Sequence, residues 1–242
     1  MGEAAAAHAA AILREAAAAR GGARVIIGTG PSQDEMIDAL TAAPEIGWAR
    51  IAVFHMDEYV GLSSGHPASF RRWLKERVAD RVHPGEVHYL DGEAADLDAE
   101  CRRYAALLGA APIDITFLGF GENGHIAFND PHAADFNDPV AVKRVAMDLR
   151  CRRQQVGEGH FPSVEEMPAE ALTITCPALL ACRHAVCTVP DRRKAEAVRN
   201  ALQGPVSTAC PASAVRAHPS AAIFLDAESA SLLTSTSPAR RA

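Results

Sequence analysis

Six short apolar runs, most of them separated by a stretch long enough for a helix, constrain this chain more than any other feature. They read ARVIIG (23–28), RIAVFHM (50–56), IDITFLGF (113–120), ALTIT (171–175), HAVCTV (184–189) and AAIFL (221–225). Runs this short, β-branched and bounded by Gly or Pro read as buried strands. Helices are predicted between them. Residues 3–19 are Ala-rich and stop at Gly21-Gly22. A second helix runs from Ser32 to about Leu40, a third covers 68–80 after Pro67, and a fourth covers 96–108 with Asp96 as its N-cap. DRRKAEAVRNALQG (191–204) is stopped by Gly204-Pro205. Strands alternating with helices predict an α/β protein with an open, mostly parallel sheet and helices on both faces. Residues 131–168 are polar and Pro-interrupted, the character of a lid or binding loop. The tail over 233–242 is expected to fray. No internal repeat divides the chain, and residues 1–242 read as a single unit.

Composition narrows the function. With 242 residues, 48% hydrophobic and 22% charged, the chain can bury a core without disulfide staples. Lys and Arg total 24 against 30 Asp and Glu, so the net charge of −6 argues against a nucleic-acid partner. No apolar run is long enough to span a bilayer, so no membrane partner is expected. Glu3, His8, Arg14 and Glu15 break up the opening segment, which makes a poor secretory signal, and Ala6 fails the myristoylation pattern. The six cysteines form no C-x-x-C pair. They read as free thiols of a cytoplasmic protein, with no metal site expected among them.

In an open parallel sheet the ligand sits beyond the carboxyl ends of the strands, so the residues following each strand carry the chemistry. After the first comes Gly28-Thr29-Gly30-Pro31-Ser32-Gln33, small residues leading into a helix N-terminus, which suits a phosphate. An ordinary strand-to-helix turn would look the same. After the second come Asp57 and Glu58. Beside a sugar, one of these carboxylates can act as a general base on carbon; a helix cap or loop ion pair is the plainer alternative. After the strand at 113–120 comes Gly121-Glu122-Asn123-Gly124-His125, running to Asn129-Asp130-Pro131. His125 can pass a proton near neutrality, and a nearby carboxylate can orient its ring. Gly119, Gly121 and Gly124 also spell G-x-G-x-x-G, but Pro131 ends any following helix within two turns, which excludes a dinucleotide site. Lys194, and an arginine among Arg150, Arg152 and Arg153, are candidate anion contacts; solvated surface charge is the plainer reading of each.

GTGPS (28–32), FHMDEYVG (54–61), GENGHIAFNDP (121–131) and VPDRRKAEAV (189–198) resemble the glucosamine-6-phosphate deaminase/isomerase family, in family order across most of the chain. The same fold includes 6-phosphogluconolactonases, which usually have D-E-R where this chain has Asp57-Glu58-Tyr59 and lack H-I-A-F-N. The resemblance implies isomerisation of a phosphorylated 2-amino sugar from aldose to ketose with loss of ammonia, without metal or cofactor. A small-molecule sugar phosphate would be the partner, and a homo-oligomer is open. By position, Asp57 would move the proton between C2 and C1 and His125 would open the pyranose ring. Gly30, Ser32 and Lys194 would hold the phosphate, Arg153 would close over it, and Glu58 would belong to the substrate-binding set. The chain departs from the family twice. Asn123 stands where the best-known members have Asp, and Asp130 where they have Glu. An amide accepts no proton, so Asn123 would orient groups while Asp130 or Glu122 partners His125. A lactonase using His125 to activate water is the alternative, as is a non-catalytic sugar-phosphate sensor. The latter usually carries a helix-turn-helix, for which the two dozen or so residues before the first strand leave no room.

Overall fold

The apolar run at 23–27 is the hub of the architecture. In the computed structural model, which describes residues 1–234, it forms β1 (Ala23–Ile27) after a long helix α1 (Gly2–Arg20). The tail expected at 233–242 lies, from residue 235 onward, outside the described residues. The chain continues through α2 (Pro31–Ala42), β2 (Ile51–His55), β3 (Asp57–Tyr59), α3 (Phe70–Leu74), α4 (Asp80–Val82) and β4 (Glu86–His88). Then come α5 (Leu97–Gly109), β5 (Ile115–Leu118), β6 (Val142–Ala146), α6 (Leu149–Gly157) and β7 (Glu170–Ile174). It closes with α7 (Cys176–Leu180), β8 (His184–Val189), α8 (Ala195–Gln203) and β9 (Ala221–Leu225).

Six strands build one sheet in the order β4-β2-β1-β5-β8-β9, every pair parallel. Val25 pairs with Val53 on one side and Ile115 on the other. Because side chains alternate along a strand, Val25 and Ile27 face α1 and α2, packing on Leu13, Met36, Ile37 and Leu40. Ile26 and Phe54 face the opposite layer, with Tyr104 of α5, Leu179 of α7 and Val198 of α8. Helices thus cover both faces, which is why these strands read as continuous apolar runs.

Two sequence expectations change. ALTIT is β7, and it joins β3 and β6 in a separate antiparallel sheet, order β3-β7-β6. Ala171, Leu172 and Ile174 are fully buried like the residues of a central parallel strand, so the pattern cannot tell the two sheets apart. The helix expected over 68–80 is broken by a π turn at Lys75–Ala79 between α3 and α4. The segment 131–168, expected as a lid or binding loop, contains β6 and α6.

The strand order reverses at β1, where the chain crosses to β2 on one side and β5 lies on the other. The Gly28 amide donates to the Phe117 carbonyl at 2.9 Å, tying the two strand ends together. The loops after β1 and β5 then part, which leaves a crevice at the switch point.

Candidate active site

That crevice holds a polar cleft. Asp57, His125 and Lys194 all line it, together with the Gly28–Gln33 loop. Residues far apart in the chain therefore meet at one rim of the sheet.

Asp57 arrives on β3, one residue after the chain leaves β2. His55 sets its position. The fully buried His55 ring donates from Nδ1 to the Asp57 carbonyl at 2.9 Å and accepts the Leu90 amide on Nε2 at 2.9 Å. Burial holds this ring neutral, with its pKa pushed down to about 3. The Asp57 side chain is 6% exposed. Burial, with the neighbouring Glu58 charge adding to it, raises its pKa well above the carboxylate range. A carboxylate whose ionised form is disfavoured is a strong base.

Glu58 points elsewhere. Its carboxylate accepts from the Ser69 hydroxyl (2.8 Å), the Arg71 amide (2.9 Å), the Tyr59 amide (2.9 Å) and the Arg71 Nε (3.3 Å). It anchors the start of α3 and does not line the cleft. Burial raises the Glu58 pKa, and these hydrogen bonds pull against that rise.

His125 sits in the loop after β5 and is 8% exposed. Its Nδ1 lies 2.7 Å from Asn123 Oδ1 and 3.2 Å from Asp130 Oδ1. The Asn123 Nδ2 must be the donor to Asp130 (2.8 Å) and Asp148 (2.9 Å), both carboxylates, and its Oδ1 accepts the His125 amide at 3.0 Å. Both neighbours of Nδ1 are therefore acceptors, which assigns the proton to Nδ1 and frees Nε2 for a substrate. Burial pushes the Asp130 pKa up, but the His125, Asp148 and Asn123 bonds outweigh it and the net shift is downward. Glu122 takes no part; its carboxylate lies 3.8 Å from Arg193. Gly121 packs against the imidazole, and a Cβ there would stand 2.2 Å from His125 Cε1.

Gly30, with φ at +108°, is the N-cap of α2, and the Gly28–Gln33 loop lines the same cleft. The Ser32 hydroxyl accepts from Gln33 Nε2 at 3.3 Å. Lys194 reaches the cleft from a 3-10 turn (Arg192–Lys194) that precedes α8, where a regular helix was expected. Asp191, with φ at +82°, caps that turn by accepting the Arg193 amide at 3.0 Å. Lys194 is 5% exposed and lies 3.4 Å from Glu158. Burial lowers its pKa, against the raising effect of Glu158 and Glu122.

Arg153 is an exposed residue of α6 and does not line the cleft. The residues of this segment that do are Gln154, Gln155, Glu158 and His160, none of which the sequence reading singled out. Among the described residues, groups of His, Cys and Asp that could hold an ion include His125, Asp130 and Cys151. The Nδ1 bonds just described already occupy that point. No helix of the described residues is long and apolar enough to cross a membrane.

A twisted parallel sheet with a carboxylate and a hydrogen-bonded imidazole at its switch point, facing a glycine loop and a buried lysine, defines a class of small-molecule site. The family model described as "Glucosamine-6-phosphate isomerases/6-phosphogluconolactonase" matches residues 1–224, and the chain belongs to this family. A glucosamine-6-phosphate deaminase of Arthrobacter sp. (strain FB24) is 34% identical over 191 residues, 78% of this chain and 72% of the relative. A solved structure of a monomeric glucosamine-6-phosphate deaminase superposes with a TM-score of 0.88 at 30% identity, over 96% of this chain and 95% of that one. A 6-phosphogluconolactonase from Shewanella baltica OS155 shares the fold, with a TM-score of 0.74 at 21% identity over 91% and 90% of the two chains.

Proposed function

We propose that the protein is a glucosamine-6-phosphate deaminase, converting glucosamine 6-phosphate to fructose 6-phosphate and ammonia. One observation carries this reading: Asp57 and His125 share a cleft that the Gly28–Gln33 loop and Lys194 also line. The phosphate sits on the loop amides around Gly30 and Ser32, with Lys194 as its counter-charge. His125 Nε2 moves the proton that opens the ring, and its Nδ1–H stays on Asn123 and Asp130, which stabilise the imidazolium. Asp57 takes the proton from C2 and returns it to C1. As the amine gives up one proton and O1 gains one, C2 becomes an imine, which adds water and releases ammonia, leaving the ketose. Glu58 acts behind this site by fixing α3.

The chain's own groups carry these steps, with no cofactor or metal. The reading includes a single functional unit, a cytoplasmic setting and a segment at 131–168 that moves over the substrate. The sequence relatives favour a deaminase, whereas the lactonase likeness, at 21% identity, speaks for the fold alone.

The test is purified protein with glucosamine 6-phosphate, following ammonia and fructose 6-phosphate together. Equimolar appearance of both, lost in Asp57→Asn, is the expected outcome. Turnover of the wild type no faster than that control refutes it.

A further inference from the structure

The cleft already contains a group bearing the charge of its intended guest. Glu158 caps the end of α6 and is half-buried, with 9% of its side chain exposed. Its Oε1 accepts from Gln154 Nε2 at 2.9 Å and lies 3.4 Å from Lys194 Nζ. Its Oε2 stands 3.7 Å from His160 Nε2. A carboxylate ringed by an ammonium, an amide and an imidazole is placed as one face of a phosphate would be. The two anions cannot occupy this end of the cleft together, because each needs Lys194 and they repel one another.

Two further observations mark Glu158 as displaceable. It lies between Gly157 and Gly159; Gly159 has φ at +82°, and around the Cβ position of either glycine there is open space. Neither glycine is packed against a neighbouring side chain, so the Glu158 side chain has room beside it. Also, hydrogen-bonding groups on both sides of the cleft are unsatisfied while Glu158 is in place: His160 Nε2 and, on the opposing loop, Thr29 Oγ1 are buried without a hydrogen-bond partner. Such groups are uncommon in a finished interior and point to a missing ligand.

We propose that Glu158 is a built-in surrogate for the substrate phosphate, whose side chain must swing away from Lys194 before a phosphorylated sugar can bind. The inference rests on the reading of this end of the cleft as a phosphate site. Glu158 makes Lys194 a selective group. A neutral amino sugar offers nothing to replace the carboxylate, whereas a phosphate dianion satisfies Lys194, Gln154 and His160 at once. The affinity observed for phosphate is then the intrinsic affinity reduced by the fraction of molecules with Glu158 withdrawn.

The experiment titrates inorganic phosphate into the full chain by calorimetry, comparing wild type, Glu158→Gln, Glu158→Ala and Lys194→Ala. Both Glu158 variants bind phosphate about tenfold tighter than wild type, and Lys194→Ala binds it at least about tenfold more weakly. If Lys194→Ala binds weakly but the Glu158 variants bind no tighter than wild type, the surrogate role is overturned while the phosphate site stands. If Lys194→Ala binds as tightly as wild type, the phosphate site itself fails, and the surrogate with it. A wild-type crystal soaked in phosphate gives a check that needs no variant. Phosphate against Lys194 with Glu158 withdrawn supports the proposal, and phosphate there with the Glu158–Lys194 contact intact overturns it.

Discussion

Asn123→Asp is the sharpest test of the histidine's surroundings, because it installs the residue that the family's best-known members have and is nonetheless expected to harm this chain. Asn123 Nδ2 donates to two carboxylates, Asp130 at 2.8 Å and Asp148 at 2.9 Å. Asp130 is fully buried. An ionised aspartate at 123 would lose both donors and place a third negative charge among them. At these distances and an effective dielectric of about 20, each pair would repel by roughly 6 kcal/mol. The side chain avoids this by keeping a proton. Holding a carboxyl protonated at about pH 7.5 against an unfolded pKa of about 3.9 costs about 5 kcal/mol, which caps the penalty. We therefore expect a destabilisation of about 3–5 kcal/mol at that pH. The folded-state pKa of the new carboxyl is raised, so the penalty is largest above it and fades as pH falls toward the unfolded value. At about pH 5 it shrinks by about 3 kcal/mol. Urea denaturation of both proteins at the two pH values measures it. A loss below about 1 kcal/mol at the higher pH, or one that does not change with pH, would mean that Asn123 does not bridge the carboxylates.

Gly121→Ala places a methyl 2.2–2.4 Å from three atoms of the His125 ring, so the ring must leave its Asn123 bond and kcat should fall by about 10²–10⁴; a wild-type kcat would count against His125 as the proton carrier. Asp57→Asn should abolish turnover yet raise the melting temperature at neutral and alkaline pH. Burial raises the Asp57 pKa in the folded state, so its ionised form destabilises the native protein above the unfolded carboxylate range, and the advantage of Asn disappears below that range. A variant less stable than wild type at about pH 8 contradicts this. The same shift puts the acid limb of kcat/KM above the usual carboxylate range, which a pH–rate profile reads directly. Lys194→Ala should raise KM by about 10–100-fold with a smaller effect on kcat, whereas Arg153→Ala, out of the cleft, should stay within about twofold of wild type on both; the reverse pattern would restore Arg153 as the phosphate contact.

The sheet was legible because burial on both faces writes each central strand as an unbroken apolar run, and the site because ligands collect at strand ends. Strand ends single out Asp57, His125, Gly30 and Ser32, and these residues line one cleft with Lys194, which the family resemblance adds. The errors have equally physical causes. Asp57 and Glu58 look like a matched pair in sequence, but adjacent residues of a strand face opposite ways, and only Asp57 faces the cleft. On α6 the eye goes to three arginines. The face that turns inward is Cys151, Gln154, Gln155 and Glu158, spaced i, i+3, i+4, i+7. That is a regular helical period, hidden because glutamines and a glutamate carry it where a search for apolar residues sees nothing. His55 escaped notice because its role is to hold a backbone carbonyl, which no motif records. The 3-10 turn before α8 depends on Asp191 with φ at +82°, a conformation that few side chains adopt and that sequence does not advertise.

These details bind the chemistry to the wall of the cleft. Asp148 is the N-cap of α6, accepting the Cys151 amide at 2.7 Å, and it also accepts from Asn123. Its own amide donates to Asp130 at 2.9 Å. Asn123 and Asp130 in turn hold His125. The imidazole and the helix presenting Gln154, Gln155 and Glu158 thus hang from one polar joint. A chain with Asp at 123 would need another way to neutralise this cluster. The amide here is better understood as the neutral donor that bridges Asp130 and Asp148, so that one can orient the ring while the other starts the helix.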